Sequence, residues 1–430
     1  MVATEILILA ATALFALYYF STKLPKNFPP GPRPYPIVGN LTQIVRPPFT
    51  FFMKLQETYG DIIGLHFGSQ PVVVLNNHKH IREAFSNNVF SGRPQTEAGK
   101  QRCLGGNRGV LFAEGHVWFS HDDPRLNQLI KALTDAITDR PLTQTLAQYF
   151  PFFQWLRNTF PTIFPSKSKT FFEGTYGLIG EIIKQHEDSL QEDSPRDFID
   201  IYLNEINKTN DSNSTFYKEE GHLQLKVLLL DMFAAGAETT STTLTYSFLF
   251  MALHPEVQEK LFEEINRVVG NSRNVSLSDR PEMPYTEACI LEIQRFASLV
   301  PLAPHHTHED VEFQGFTIPK GTNVVANLYS ACRDKKAWGD PDNFRPERFL
   351  SGDGKTVLRN EAFIPFSIGK RVCLGESLAK DELFLFLTNL FQAFKVKTVD
   401  GEPKPKVEAY YSIVLVPKPH RVVLVDRQAS

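Results

Sequence analysis

The sequence predicts a mainly α protein with small β-sheets, and three observations lead to that fold class. Apolar residues recur at helical spacing over residues 124–138, 169–189, 222–253, 255–269, 285–298 and 376–394. Strand-like runs flank a Gly-Ser-Gln turn in IIGLHFGSQPVVVLN, and a comparable pair surrounds Gln314 and Gly315. The chain of 430 residues is 42% apolar and 22% charged, which supplies a large core and disfavours disorder.

Charge and cysteine content disfavour several classes of protein. The 45 Lys and Arg residues nearly balance the 48 Asp and Glu residues, so the sequence has no basic excess of the kind that binds nucleic acid. The four cysteines, Cys103, Cys289, Cys332 and Cys373, are far apart and form no CxxC pair. A disulfide scaffold and a structural zinc site are therefore not expected. We expect the cysteines to be reduced, in a domain that faces the cytosol.

The N-terminal segment 1–20 is a candidate membrane anchor. Residues 6–20 carry no charge, and together with the residues before them they are long enough to cross a bilayer. Lys23 and Lys26 follow directly, which places the rest of the chain in the cytosol by the positive-inside rule. A cleaved signal peptide is the alternative, but the run lacks preceding basic residues and a following cleavage site.

Residues 21–36 are predicted to form a stiff linker between the anchor and a globular domain at 37–430. Proline fixes φ and lacks an N–H group, so a proline-rich stretch cannot be helical. The linker prolines are Pro25, Pro29, Pro30, Pro32, Pro34 and Pro36.

The long apolar segment 225–253 resembles a second membrane span in length and composition. However, Asp231, Gly236 and Glu238 lie near its middle, where charge is costly in lipid. We therefore predict a buried central helix of the globular domain.

The most specific motif is FSIGKRVCLG. A lone cysteine is usually an ordinary buried residue, but here Phe366, Gly369, Arg371, Cys373 and Gly375 match FxxGxRxCxG at five fixed positions. This segment resembles the cysteine loop of the cytochrome P-450 family of haem-thiolate enzymes. The resemblance implies the cytochrome P-450 fold, a haem b cofactor and Cys373 as the thiolate ligand of the iron, a ligand that favours O–O cleavage.

The same resemblance implies partners for the haem propionates. The residues implied as partners are Arg93 in FSGRP, Trp118 in GHVW, His306 directly after VPLAPH, and Arg371. His305 is adjacent to His306 and is an alternative to it.

A second motif of the family is ExxR, whose i, i+3 spacing puts an acid and a base on one helix face. Two pairs of residues match this motif: Glu264 with Arg267, and Glu292 with Arg295. Only the second pair is followed in the family's order by Arg348 in PERF and then by the Cys373 loop. We expect Glu292, Arg295 and Arg348 to form a buried network that supports the haem pocket without taking part in the chemistry.

The segment 235–240, AGAETT, resembles the dioxygen-binding segment of these monooxygenases. Gly236 permits close approach of the haem, and the Thr239 hydroxyl can compete for helix carbonyls and open a local bulge. The resemblance implies that Glu238 and Thr239 relay protons to the dioxygen. The alternative is a Thr-rich core helix.

The chain departs from the family after Trp118. The family places an arginine four residues later, where this chain has Asp122. Sequence on both sides of the Trp118–Phe119 bond matches well, while a piece of roughly 60 to 70 residues, several helices long, is absent. A skipped exon or a faulty gene model would produce such a junction. Because helices that cover the central helix would be missing, we expect the faces of that helix at 228–230 and 248–250 to lose their packing partners.

The resemblance implies a monooxygenase that inserts one oxygen atom into lipophilic substrates: xenobiotics, fatty acids or steroids. The chain has no Rossmann or flavin fingerprint, so its electrons must come from NADPH through a partner, NADPH–cytochrome P-450 reductase. The likeness is closest to the animal microsomal group, which implies the endoplasmic reticulum membrane. Residues 90–111, 233–237, 299–303 and 411–414 are expected to line the substrate site.

Two other functions stay open at the level of sequence. A haem-thiolate isomerase or dehydratase needs no reductase, but such enzymes typically lack the acid–alcohol pair seen at Glu238 and Thr239. A truncated, non-catalytic membrane protein is favoured only by the junction after Trp118.

Overall fold

The computed structural model describes residues 23–93, 102–104, 155, 159–160, 167–411 and 413–427, together with Glu5, Leu9 and Thr12. Four predictions lie wholly or mostly outside these residues: the anchor segment 1–20, the helix at 124–138, Trp118 with the junction that follows it, and the stretch 90–111 that was expected to line the substrate site. Among the residues that are described, no helix is long and apolar enough to cross a membrane.

Ten α-helices with complete bounds occur in the described chain. They are α1 (Pro48–Tyr59), α2 (His78–Ser86), α3 (Lys167–Asp188), α4 (Phe198–Lys208), α5 (Lys218–Leu253), α6 (Pro255–Val268), α7 (Pro284–Ala297), α8 (Leu328–Arg333), α9 (Lys335–Trp338) and α10 (Glu376–Ala393). The bounds of α6, α7 and α10 differ by one residue from those predicted. α7 ends where Ser298 takes a left-handed conformation, with φ of 46°.

The strands are short and form one larger sheet and three antiparallel pairs. They are β1 (Ile62–Phe67), β2 (Gln70–Leu75), β3 (Leu302–His306), β4 (Val311–Phe313), β5 (Phe316–Ile318), β6 (Asn323–Asn327), β7 (Phe394–Thr398), β8 (Ala409–Tyr411), β9 (Leu415–Pro417) and β10 (Val422–Asp426). The larger sheet has the order β1-β2-β6-β3, with β2 and β6 parallel. Both predicted hairpins form: β1 pairs with β2 in register Phe67 to Gln70, and β4 with β5 around Gln314 and Gly315, which both have positive φ.

Helix α5 runs through the core, as its apolar composition predicts. Its N-terminal half packs against α3 and α4, through Leu225 and Leu229 among others. Its C-terminal half packs against α6, α7 and α10 through Tyr246, Leu249 and Phe250. The prediction of a buried central helix is confirmed.

The expectation that α5 loses cover at 228–230 and 248–250 is wrong. Leu229 and Leu230 are buried, as are Leu249 and Phe250, because neighbouring helices cover both faces. The exposed face of α5 lies between them instead. It consists of Gly236, Ala237, Ser241 and Thr245, of which the last three follow one another at i, i+4 spacing.

Candidate functional site

The cysteine loop is fixed against helix α2 by a glycine. Gly369 has φ of 76°, and a Cβ at this position would lie 1.8 Å from the carbonyl oxygen of Phe85, so no other residue fits. Residues Gly369–Arg371 form one 3₁₀ turn, after which the Cys373 amide donates to the Phe366 carbonyl oxygen at 2.9 Å. The loop therefore returns on itself and holds Cys373 at a defined position.

Cys373 is half-buried and lies just ahead of helix α10. It precedes Gly375, the N-cap residue of α10, by two residues. The positive end of a helix dipole favours a negatively charged sulfur, and thiolate is the form of cysteine that binds metal. The surroundings of Cys373 thus suit a thiolate ligand.

Arg93 and Arg371 come together close to this loop. The Arg371 Nε donates to the carbonyl oxygen of Ser91 at 2.8 Å, two residues before Arg93. Burial lowers the pKa of Arg93 below its usual value, and the charge of Arg371 lowers it further. Two guanidinium groups that repel each other in a partly buried place are stabilised by an anionic ligand, and the propionates of a haem supply such anions. The residues present fit that cofactor.

The two adjacent histidines of β3 face different neighbours. His305 stacks on Phe85 at 3.6 Å between ring centroids, and its Nδ1 donates to the Phe90 carbonyl oxygen at 3.0 Å. Burial lowers the pKa of His305 to about 4, and Arg371 contributes in the same direction. The His306 ring instead faces Asn323 and His308, and burial lowers its pKa too. His305 thus uses its Nδ1 and one ring face within the protein, whereas the buried Nδ1 of His306 has no hydrogen-bond partner among the described residues.

Helix α5 carries the predicted acid–alcohol pair without a break in its geometry. The Thr239 hydroxyl donates to the carbonyl oxygen of Ala235 at 2.7 Å, one turn earlier. The helix remains α-helical through this segment, so the local bulge that Thr239 was expected to open is not seen. Glu238 and Thr239 are both half-buried. Gly236 is exposed, and a Cβ added to it would meet no atom within 4 Å outside its own stretch of helix.

The predicted ExxR network is confirmed. Arg295 is fully buried and donates from Nε and Nη2 to the two carboxylate oxygens of Glu292, at 2.7 and 2.8 Å. Arg348 donates to the same carboxylate at 3.2 Å. The competing pair is looser, since Arg267 is 62% exposed and lies 3.7 Å from Glu264.

Arg295 also ties α7 to the loops that follow. Its Nη1 donates to the carbonyl oxygens of Cys332 and Pro341, both at 2.9 Å. The network thus joins α7, α8 and the stretch before PERF. This arrangement agrees with a supporting role.

Sequence reasoning missed one ion pair near this site. Arg102 donates from Nε to the Asp231 carboxylate on α5 at 2.8 Å, and also from Nη2. The Tyr176 hydroxyl of α3 donates to the Arg102 carbonyl oxygen. The charge of Asp231 within an apolar helix was visible in the sequence, but its partner, 129 positions away, was not.

Comparisons with known proteins agree with these features. A family model described as "Cytochrome P450" matches residues 29–129 and 119–424. "Cytochrome P450 2B2" of Rattus norvegicus is 37% identical over 452 positions, covering 88% of this chain and 91% of the relative. "Cytochrome P450 2J3" of the same organism is 35% identical, covering 98% and 96%, and "Cytochrome P450 2U1" of Homo sapiens is 32% identical, covering 98% and 93%.

The alignments also bear on the segment that is absent after Trp118. The alignment to the 2J3 relative has 491 positions, whereas this chain has 430 residues, so more than sixty positions are gaps on its side. The second stretch of the family match begins at residue 119, the residue after the predicted junction. The number of gap positions is of the predicted size, and the two stretches of the family match overlap at residues 119–129, next to the predicted junction.

Proposed function

The chain belongs to the cytochrome P450 family and is a haem-thiolate monooxygenase, and from this premise we propose that Cys373 is the residue that holds the haem iron. When bound, the haem supplies the activation of dioxygen, which no amino-acid side chain can perform. The observation that carries the proposal is the loop itself. Gly369 can be no other residue, and the turn it permits holds Cys373 in front of the positive end of α10.

Arg93 and Arg371 are proposed to bind the propionates. The charges of the two guanidinium groups repel each other, and a propionate bound to each would offset that repulsion by a charge-assisted hydrogen bond. These bonds would help to retain the haem. Trp118, outside the described residues, stays a proposed third partner. For the histidine position, His306 stays the proposed partner and His305 its alternative, a choice supported by the buried His306 Nδ1, which has no hydrogen-bond partner among the described residues.

Glu238 and Thr239 are proposed to deliver the protons that dioxygen reduction consumes. The Thr239 hydroxyl donates its hydrogen to Ala235 and keeps its lone pairs free to accept a hydrogen bond, so it can hold a donor or a water at this point of α5. Glu238, one residue earlier, is half-buried and is the acidic end of the relay.

The substrates are proposed to be lipophilic compounds: xenobiotics, fatty acids or steroids. The electrons are proposed to come from NADPH through NADPH–cytochrome P-450 reductase, because the chain has no nicotinamide or flavin fingerprint. The domain 37–430 would face the cytosol at the endoplasmic reticulum, held by residues 1–20 as an anchor and by the linker 21–36. Charge-free residues 6–20 and the lysines after them support this arrangement.

Reconstitution tests the proposed reaction. The haem-loaded chain is combined with NADPH, the flavoprotein reductase and a set of lipophilic substrates, and oxygenated product is measured by mass spectrometry. We expect product that carries one oxygen atom from ¹⁸O₂ and requires the reductase. Oxygenation that proceeds equally well without the reductase, or a product that has only rearranged, would contradict the proposal.

One specific observation favours a second candidate function, that of a non-catalytic form. The relatives carry more than sixty residues that this chain lacks, and Gly236, Ala237, Ser241 and Thr245 of α5 are exposed. A chain that folds but retains little haem would give no product in the reconstitution while still being inserted in the membrane.

A further inference from the structure

We propose that strand β10 is an interaction surface, on which a second copy of this chain lays its own β10 in the antiparallel direction. The β7–β10 pair ends at β10 on one side, because no third strand joins it in the described part of the chain. A strand with one free edge can add another strand through backbone hydrogen bonds. Such pairing involves neither the haem nor the proposed reaction.

The register of the β7–β10 pair shows which backbone groups of β10 face outward. The Arg427 amide donates to the Ala393 carbonyl oxygen at 2.9 Å, so these two residues form a hydrogen-bonded pair. Bonded and non-bonded pairs alternate along an antiparallel ladder. Val422 and Leu424 lie an odd number of residues before Arg427 and belong to non-bonded pairs. Their N–H and C=O groups therefore point away from β7, toward the outer edge of β10.

The opposite edge of the same pair is closed by a side chain of α6. Val396 of β7 donates its amide hydrogen to Gln258 Oε1 at 2.7 Å, and its carbonyl oxygen accepts from Gln258 Nε2 at 2.8 Å. Leu424 lies directly opposite Val396, and its outward backbone groups have no such partner among the described residues. One edge of the pair is thus covered, and the edge at β10 is open.

The side chains at the open edge are apolar and exposed. Val423 is 39% exposed and Leu424 is 49% exposed. Neither proline nor lysine, two residues that commonly keep an edge strand from pairing, occurs within β10. Covering these side chains with another strand removes apolar surface from water, which is favourable.

A second copy of the same strand fits this edge in charge and direction. The basic residues His420 and Arg421 precede β10, and the strand ends at Asp426. Antiparallel pairing of two identical strands brings the basic end of each beside the acidic end of the other, whereas parallel pairing brings like ends together. The contact is the same on both copies and Gln258 covers the far edge, so the assembly closes as a two-fold dimer.

The outward groups restrict the register of the two strands. They can bond only with outward groups, so Leu424 lies opposite either Val422 or Leu424 of the other copy. The second register would place Arg421 opposite Arg427 of the other copy, and like charges that face each other are destabilising. We therefore expect the first register, in which the two copies of Val423 face each other across the two-fold axis.

Sedimentation velocity of the full chain in detergent, over a range of protein concentrations, tests the pairing. Two short strands bury less surface than the roughly 1,200 Å² at which standard interfaces begin, so we expect a dimer with a dissociation constant in the micromolar range. Leu424→Lys should weaken the dimer by about tenfold or more, because the two edges then carry like charges. Leu358→Lys is the matched control, since Leu358 is 48% exposed, and should leave the dimer unchanged.

Proline variants separate the dimer contact from the folding of the strand. Leu424→Pro removes an N–H group that β7 does not use, so we expect loss of the dimer with little change in melting temperature. Val423→Pro removes an N–H group that bonds to β7 and should lower the melting temperature. Leu424→Lys keeps the test decisive should Leu424→Pro fail to fold.

A cross-link tests the register. In the expected register the Cα atoms of the two Val423 residues lie about 4.5 Å apart, within reach of a disulfide. Val423→Cys should therefore form a disulfide-linked dimer under mild oxidation, whereas Leu358→Cys should not.

Three results would overturn the proposal. A parent chain that stays monomeric throughout the micromolar range has no such contact, and a dimer that Leu424→Lys leaves intact is held elsewhere. Slow hydrogen exchange of the Leu424 amide in a monomeric chain would show that another segment of the same chain covers the edge. Failure of Val423→Cys to cross-link, in a dimer that Leu424→Lys does disrupt, would contradict the expected register.

Discussion

The Thr239 hydroxyl donates to the Ala235 carbonyl oxygen, a bond that many helical threonines make. What distinguishes Thr239 is its place, one residue after Glu238 in the middle of α5, where both side chains are half-buried. The hydrogen bond fixes the hydroxyl rotamer, so its lone pairs point in a constant direction. A fixed acceptor is suited to the transfer of protons.

We expect Thr239→Ala to retain haem but to form less product per NADPH, by about tenfold or more, because the relay from Glu238 is interrupted and reducing equivalents are diverted to peroxide. The measurement is product and peroxide formed per NADPH consumed. Thr245→Ala is the matched control, since Thr245, six residues further along, makes the same kind of bond, to Ser241 at 2.9 Å. Equal coupling in Thr239→Ala and the parent would remove the relay role.

At the scale of single residues, the sequence is informative where a motif fixes a spacing. Cys373, Glu292 and Arg295 are identifiable in this way because each lies in a pattern with a fixed number of positions. The different surroundings of His305 and His306 were not predictable, since adjacent residues of β3 turn their rings to opposite faces of the strand. The Arg102–Asp231 pair was not predictable either, because no spacing connects residues so far apart.

Two helices of this chain carry the same acid–base motif with very different burial. In α7, Glu292 and Arg295 are both fully buried and bonded through two oxygens. In α6, Arg267 is largely exposed and 3.7 Å from Glu264, which is instead bonded to the backbone of Tyr285 and Thr286. The pair of helices therefore supplies an internal comparison of buried and exposed ion pairs.

We expect Arg295→Ala to lower the free energy of unfolding by about 3 to 5 kcal/mol, because it leaves the buried Glu292 carboxylate without its main partner. Arg267→Ala should lower it by less than about 1 kcal/mol, as is usual for an exposed pair. Chemical denaturation of the two variants and the parent gives both values. Similar losses for the two variants would mean that burial does not govern the strength of these pairs.

The helices were predictable because their apolar periodicity extends over many turns, as in α3, α6, α7 and α10. The shorter elements were not. α1 and α2 have only three turns or so, and β8 and β9 have three residues each, too few for a periodic pattern. The exposed face of α5 was also placed wrongly, because composition alone does not show that α3, α4, α6, α7 and α10 cover its two ends.

The gap after Trp118 concerns the whole molecule. The relatives carry more than sixty positions that this chain lacks, and α5 has an exposed face of small residues in its middle. Phe386 of α10 is 52% exposed as well. The Thr240 hydroxyl donates to the Glu382 carboxylate of α10, so the two helices are joined close to both exposed positions.

We expect that a longer chain, with the corresponding segment of a relative inserted between Trp118 and Phe119, holds more haem per protein and is cleaved more slowly by protease. The reason is that exposed apolar surface becomes buried and a propionate gains a cation. The two chains are expressed side by side, and an insert of equal length made of Gly and Ser serves as the control. Stoichiometric haem and equal protease resistance in the 430-residue chain would show that it is a stable compact form.

The most direct test of the central claim is the reduced-CO difference spectrum of the full chain. A cysteine thiolate bound to haem iron gives a characteristic red-shifted band, which a serine alcohol, a far poorer ligand, does not give. We predict that band for the parent chain and for Cys103→Ser, which alters another half-buried cysteine. We predict its loss in Cys373→Ser. A band that persists unchanged in Cys373→Ser would contradict the assignment of Cys373 as the ligand, and with it the account of the site.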